Sequence, residues 1–154
     1  MFNAMMLAVM LGLTTWYGVR QVDAGALLTH AAQQGQAQAM AAYRQAVVAY
    51  FTDHPQQYHA APAAQLVAAG APVGGASQGG FANFRLADGT ILVYALAPQP
   101  GLMGELLALS QRSHMVGLFS QGYFRPALST VPSTIAAPAL AIPNGGPVWL
   151  AARN

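Results

Sequence analysis

Asp53, His54 and His59 have the residue types and loose spacing of a metal site. Zinc needs three or four convergent ligands, so His30, His114 or Glu105 would have to complete the set. The simpler expectation is exposed residues at a helix end, because Pro55 follows at once and pushes its predecessor out of the α region. Ser110, Ser113 and His114, with a distant Asp, have the composition of a hydrolytic triad. Neither serine sits in a G-x-S-x-G elbow, the strained turn that presents such a nucleophile. Glu105 is the sole glutamate. It falls in the first turn of an expected helix, where a carboxylate complements the N-terminal dipole. Phe81, Phe84, Tyr94, Phe119, Tyr123 and Phe124 could line a groove, although aromatics at strand spacing usually fill a core. The sequence assigns no catalytic, cofactor-binding or metal-binding residue and implies no cofactor.

Composition narrows the function classes further. The chain has 154 residues, 55% hydrophobic and only 6% charged, where an ordinary soluble domain is about 25% charged. That balance excludes a disordered chain. Six arginines, no lysine and four acidic residues give a net charge of +2. There is no basic cluster of the kind that displaces counterions from nucleic acid. Without lysine there is also no phosphate loop of the G-x-x-x-x-G-K-[ST] type. Cysteine is absent, so disulfide, thiolate and iron–sulfur chemistry are excluded.

The elements that must position these residues begin with an unusual N-terminus. Residues 1–19 carry no charged side chain. As a helix they would rise roughly 28 Å, close to the ~30 Å of bilayer hydrocarbon. Trp16 and Tyr17 then fall where an interfacial aromatic belt belongs, and Arg20 closes the span. A cleaved signal peptide is the rival reading, with Ala24-Gly25-Ala26 as its cleavage site, but the basic n-region is missing. The expectation is an uncleaved single-pass anchor with the rest of the chain on one side, the periplasm in a Gram-negative host.

Residues 20–54 predict a long helix rich in Ala and Gln. Ala37, Met40, Tyr43, Val47 and Tyr50/Phe51 form its apolar stripe. Gly25 and Gly35 mark hinge points, and His54-Pro55 ends it. Residues 55–154 predict an α+β domain. A short helix over 63–69 precedes a Gly-rich loop over 74–80. The hairpin from Phe81 turns at Asp88-Gly89, read as a two-residue type I′ turn, and returns through 90–94. A helix over 101–111 turns Leu106, Leu107 and Leu109 inward. A second hairpin over 114–125 turns at Gln121-Gly122. The Pro-rich stretch 126–147 predicts extended, edge-type chain, and Val148-Trp149-Leu150 a last short strand. The predicted core is Phe81, Phe84, Ile91, Val93, Tyr94, Leu106, Val116, Leu118 and Phe124. The fold class is thus α+β: an N-terminal transmembrane helix continuing into a long helix packed on a small antiparallel sheet of four or five strands.

This order of motifs resembles the small PilM family of type IVb thin-pilus biogenesis proteins, known chiefly from conjugative plasmids. The resemblance is carried by the hydrophobic start and the helix ending at residues 43–50. It continues through Phe81-Ala82-Asn83-Phe84 before the 88–94 turn and strand, then residues 101–107 running to Ser113-His114-Met115-Val116-Gly117. The ending Ile142-Pro143-Asn144-Gly145-Gly146-Pro147-Val148 completes it. The resemblance implies an inner-membrane component of the pilin transport apparatus or pilus basal body. Its partners would be the inner membrane and other pilus components or pilin, with self-association left open, and it carries no catalytic motif over. Pilins and pseudopilins also start with a hydrophobic helix. Their processed N-termini typically follow a Gly and carry a Glu five residues in, whereas no acidic residue here precedes Asp23.

Three functions remain as alternatives: a membrane-anchored, non-enzymatic assembly protein, a minor pilin-like fibre subunit, and an exported small hydrolase or metal-binding protein. The first is the expected one. Leu11→Arg places a charge at the centre of the apolar segment, at about 2.5–3.5 kcal/mol on insertion scales. The variant is expected to leave the membrane fraction; unchanged fractionation would remove the anchor.

Overall fold

Ala, Gln and Met keep the chain helical without a break through residues 31–53 (α1), including Gly35. The computed structural model describes residues 31–70, 80–131, 133, 135–136 and 142–151. Chain contacts divide the protein into Met1–Ala32 and Gln33–Asn154, and the sheet with its covering helices belongs to the second unit. Among the described residues, no helix is long and apolar enough to cross a membrane. The expected anchor, residues 1–19, and the hinge at Gly25 lie outside them.

The α1 stripe forms as its spacing requires: Ala37, Met40, Tyr43, Val47, Tyr50 and Phe51 are all buried. The helix stops where Pro55 demands, with a last turn closed by the His54 amide on the Tyr50 carbonyl at 3.0 Å. A short helix, α2 (Ala63–Ala68), buries only Leu66. α3 (Leu102–Leu109) buries Leu102 and Leu106 and packs on the sheet. Its Leu109 is exposed, because the eight-residue helix turns that side away from the sheet. The expected inward set is therefore corrected to Leu102 and Leu106, with Leu107 half-buried.

Five strands form one antiparallel sheet: β1 (Phe81–Arg85), β2 (Ile91–Ala95), β3 (Val116–Ser120), β4 (Tyr123–Pro126) and β5 (Gly146–Ala151). Their order is β1-β2-β5-β3-β4. The last strand is therefore the central one. It joins two hairpins that do not otherwise pair, and all six of its residues are buried. Pro147 is tolerated there for a geometric reason. The Leu150 amide points at β3, bonding the Met115 carbonyl at 2.8 Å. Alternation along a strand then turns the Pro147 nitrogen toward β2. Pairing with β2 begins only at Val148, so no ladder bond is lost.

Alternating side chains give the sheet two buried faces. The helices cover Phe81, Ile91, Val93, Ala95, Val116, Trp149 and Ala151. The opposite face holds a second cluster of Leu92, Phe119, Phe124, Val148 and Leu150, closed by Ile142 with Ile135 at its margin. The described part of the Pro-rich stretch thus acts as a cover. It also guards the β4 edge through the Tyr123–Ala136 bridge and the Phe124 amide on the Ile135 carbonyl. Leu118 lies on the helix side beyond the reach of α1 and stays exposed, so it leaves the predicted core.

The two turns differ from each other. Gln121 and Gly122 have φ of 52° and 83° between paired Ser120 and Tyr123, a type I′ turn. At the first hairpin only Gly89 has positive φ, +90°. The Gly89 amide bonds the Leu86 carbonyl and the Leu86 amide bonds the Thr90 carbonyl. That is a three-residue loop, a type I turn followed by a left-handed glycine, and not the expected two-residue turn. The Asp88 carboxylate explains the choice, since it accepts the Thr90 amide at 2.9 Å and holds Asp88 out of the left-handed region.

Gly117 is required for a different reason: a Cβ there would lie 2.1 Å from the Arg125 carbonyl oxygen of β4. Gly117→Ala must push the edge strand away and is expected to cost about 1–3 kcal/mol. Gly89→Val is expected to cost at least ~1 kcal/mol through left-handed strain. Thermal unfolding checks both, and wild-type melting temperatures would contradict these assignments.

Candidate functional site

The densest polar constellation lies on the helix-facing side of β1, where Asn83 and Arg85 share a face with Phe81 and are 5% and 2% exposed. Asn83 donates through Nδ2 to the Tyr43 hydroxyl at 2.7 Å and accepts the Ala61 amide on Oδ1 at 2.8 Å. It therefore ties α1 to the chain that leaves it. Burial raises the Tyr43 pKa, and the Asn83 hydrogen bond opposes part of that rise.

Arg85 serves the same junction. Its Nη1 donates to the Pro55 and Gln57 carbonyls at 3.1 and 2.9 Å. The guanidinium carbon lies 5.4 Å from the Phe51 ring centroid and 5.2 Å from that of Tyr58. Its backbone exchanges two hydrogen bonds with His59. Placing a cation past the last turn of α1 also complements that helix's C-terminal dipole. The buried Nε has no acceptor.

Two further side chains bind α1 to distant backbone. The Gln36 amide donates to the Ala97 carbonyl at 3.0 Å and accepts the Gln99 amide at 2.9 Å. Arg44 directs Nε and Nη2 onto the Leu150 carbonyl at 3.1 and 3.0 Å, with its guanidinium 5.0 Å from the Trp149 ring centroid. Burial lowers the Arg44 pKa. Each of these side chains thus serves backbone or another side chain of the fold. An open depression between α1 and α3 is lined by Gln34, Gln38, Glu105, Ala108 and Leu109.

The residues singled out from the sequence do not converge. His54 stacks on Tyr50 at 4.4 Å and contacts its carbonyl through Nδ1, whereas His59 sits edge-on to Phe84 at 5.3 Å. Asp53 and His114 are exposed, and His30 lies outside the described residues. No three His, Asp or Glu side chains cluster among the described residues. Ser110 and Ser113 shape the end of α3, where the Ser110 hydroxyl bonds the Leu107 carbonyl and the Ser113 hydroxyl accepts the Met115 amide. Glu105 lies in the first turn of α3 as expected. The aromatic set is split between the two sheet faces, with Tyr123 exposed.

Residues 6–150 match the family model for PilM. The chain belongs to the PilM family. A crystal structure of the PilM protein from Escherichia coli B7A shares the fold with a TM-score of 0.59 at 23% identity, covering 79% of this chain and 93% of that one. No curated protein matches.

Sequence reading of this PilM-family chain missed Asn83 and Arg85 because Ala82, Phe84 and Leu86 form the more apolar face of β1. A signal existed: Phe81, Asn83 and Arg85 recur at two-residue steps in a chain with very few charges. The Tyr43 contact gives a pH expectation. A phenol whose pKa is raised by folding contributes stability below its unfolded value, near 10. That stability is lost as pH rises through the folded value. Tyr94, also raised by burial, acts in the same direction. Denaturation midpoints are expected to fall above pH 10, and to fall less in Tyr43→Phe; an identical slope in that variant would contradict the assignment.

Proposed function

We propose that this protein is a membrane-anchored, non-enzymatic component of a pilus biogenesis apparatus that acts by association with other pilus proteins. Membership of the PilM family suggests involvement in pilus biogenesis. The charge-free residues 1–19 support an inner-membrane anchor, with the folded unit on the periplasmic side.

The observation that carries the association reading is the outer face of α1. Gly35, Gln38, Ala42, Gln45 and Ala49 are all exposed, at alternating steps of three and four. A solvent-facing helix side normally carries charges. This one carries none, while Arg44 is directed inward onto β5. The 3–4 spacing is that of a helix–helix seam, and small side chains let a second backbone approach closely.

The test is Ala42→Glu combined with Ala49→Glu. Both sites face away from the sheet, so circular dichroism and melting temperature are expected to stay near wild type. Recovery with other pilus-assembly proteins from solubilised membranes is expected to drop about tenfold or more, equivalent to 1.4 kcal/mol. Full recovery would overturn the reading of this face.

A further inference from the structure

The strand edge beside Arg85 is covered by the wrong chemistry for the charge it hides. The guanidinium is buried, its Nε lacks an acceptor, and among the described residues its hydrogen-bond partners are the neutral carbonyls of Pro55 and Gln57. No carboxylate pairs with it among the described residues. In an antiparallel pair the residue opposite Arg85 presents its side chain on the same sheet face, where an acid would meet the cation. That opposite residue is His59. It is held at φ 71°, outside extended geometry, and its ring lies against Phe84, whose side chain belongs to the other face of β1.

Residues 54–60 behave as a strap laid over this edge. Residues 55–60 are exposed throughout. The strap is held by the two Arg85 bonds, the single His59 bridge, the Tyr50–Gln57 side-chain hydrogen bond and the Gln57 amide on the His54 carbonyl. We propose that this strap masks a strand-addition site: an extended segment of a partner protein displaces it, pairs with β1, and places an acidic side chain opposite Arg85. The incoming backbone would replace the His59 bridge, and the carboxylate would supply both the missing charge and an acceptor for Nε. Strand addition takes affinity from main-chain bonds and specificity from alternate side chains, and here the specifying contact is the acid. The proposal rests on the association reading above and adds a surface separate from the outer face of α1.

The test uses the full-length purified chain and an acetylated, amidated Thr-Val-Glu-Val-Thr peptide, with the Gln-for-Glu peptide as control. The readouts are the NMR resonance of the Arg85 Nε–H and amide exchange at Gln57 and His59. The Glu peptide is expected to shift the Nε–H resonance saturably and to speed exchange at both amides. It should bind at least about tenfold more tightly than the Gln peptide, the factor that 1.4 kcal/mol represents. Tyr50→Phe, which removes one strap contact without touching Arg85, should tighten binding several-fold. Equal affinities, binding that leaves the Nε–H unmoved, binding unaltered in Tyr50→Phe, or no binding by either peptide would each overturn the strap proposal. Any of these would leave the association reading to stand or fall on the α1 variants.

Discussion

A buried arginine, held among the described residues by neutral carbonyls, is the constraint around which the folded unit is arranged. Once Arg85 lies on the covered face of β1, its nitrogens need acceptors that water cannot provide. The chain leaving α1 supplies two of them to Nη1, so the segment after Pro55 folds back along β1. Asn83 extends the same tie to Tyr43 and Ala61. Together they set how the apolar stripe of α1 meets the sheet and what shields one sheet edge. The other edge is shielded in a parallel way by the Ile135–Ala136 stretch against β4. Unshielded edges invite pairing with other chains, and among the described residues each cover meets its edge strand through one β-bridge and a few further hydrogen bonds.

The central position of β5 gives this arrangement its cooperativity. The two hairpins can each form from local turn signals, but they become one sheet only when the C-terminal strand enters between them. Arg44 then reaches from α1 to the Leu150 carbonyl, so the helix also senses whether that strand is seated. Long-range closure of this kind is slow to form relative to local contacts. It leaves a chain with few charges whose polar groups are largely committed to internal backbone.

Much of this was legible in the sequence. The α1 stripe, the stop at Pro55, both hairpins, the short helices and a small antiparallel sheet of four or five strands follow from periodicity and turn residues. The resemblance to the PilM family agrees with the family match over residues 6–150. What was not legible depended on partners distant in sequence. Nothing local tells that Val148-Trp149-Leu150 is the central strand, since its neighbours lie more than 25 residues away on both sides. Leu118 and Leu109 look like core residues until the reach of the helices is known. Asp88-Gly89 reads as a two-residue turn unless the Asp88 carboxylate is seen to hold the Thr90 amide. The burial of Arg85 was not legible because the carbonyls it binds, those of Pro55 and Gln57, lie 30 and 28 residues earlier. The residues that first invited chemical readings, Asp53, His54, His59, Ser110, Ser113 and His114, are scattered over helix ends and loops.

The most direct measurement of the central claim is the unfolding free energy of Arg85→Met, taken with residue-resolved hydrogen exchange. Replacing a buried, unpaired charge by an apolar side chain is sometimes stabilising, so the sign of the effect is informative. If Arg85 anchors the junction, the substitution removes both of its hydrogen bonds to the Pro55 and Gln57 carbonyls and should lower stability by about 2–4 kcal/mol, hydrogen bonds to a charged group being worth roughly 1.5–3 kcal/mol each. Protection should be lost first at the Gln57 and His59 amides and then at the end of α1. A variant as stable as wild type or more so, with those amides still protected, would contradict the account.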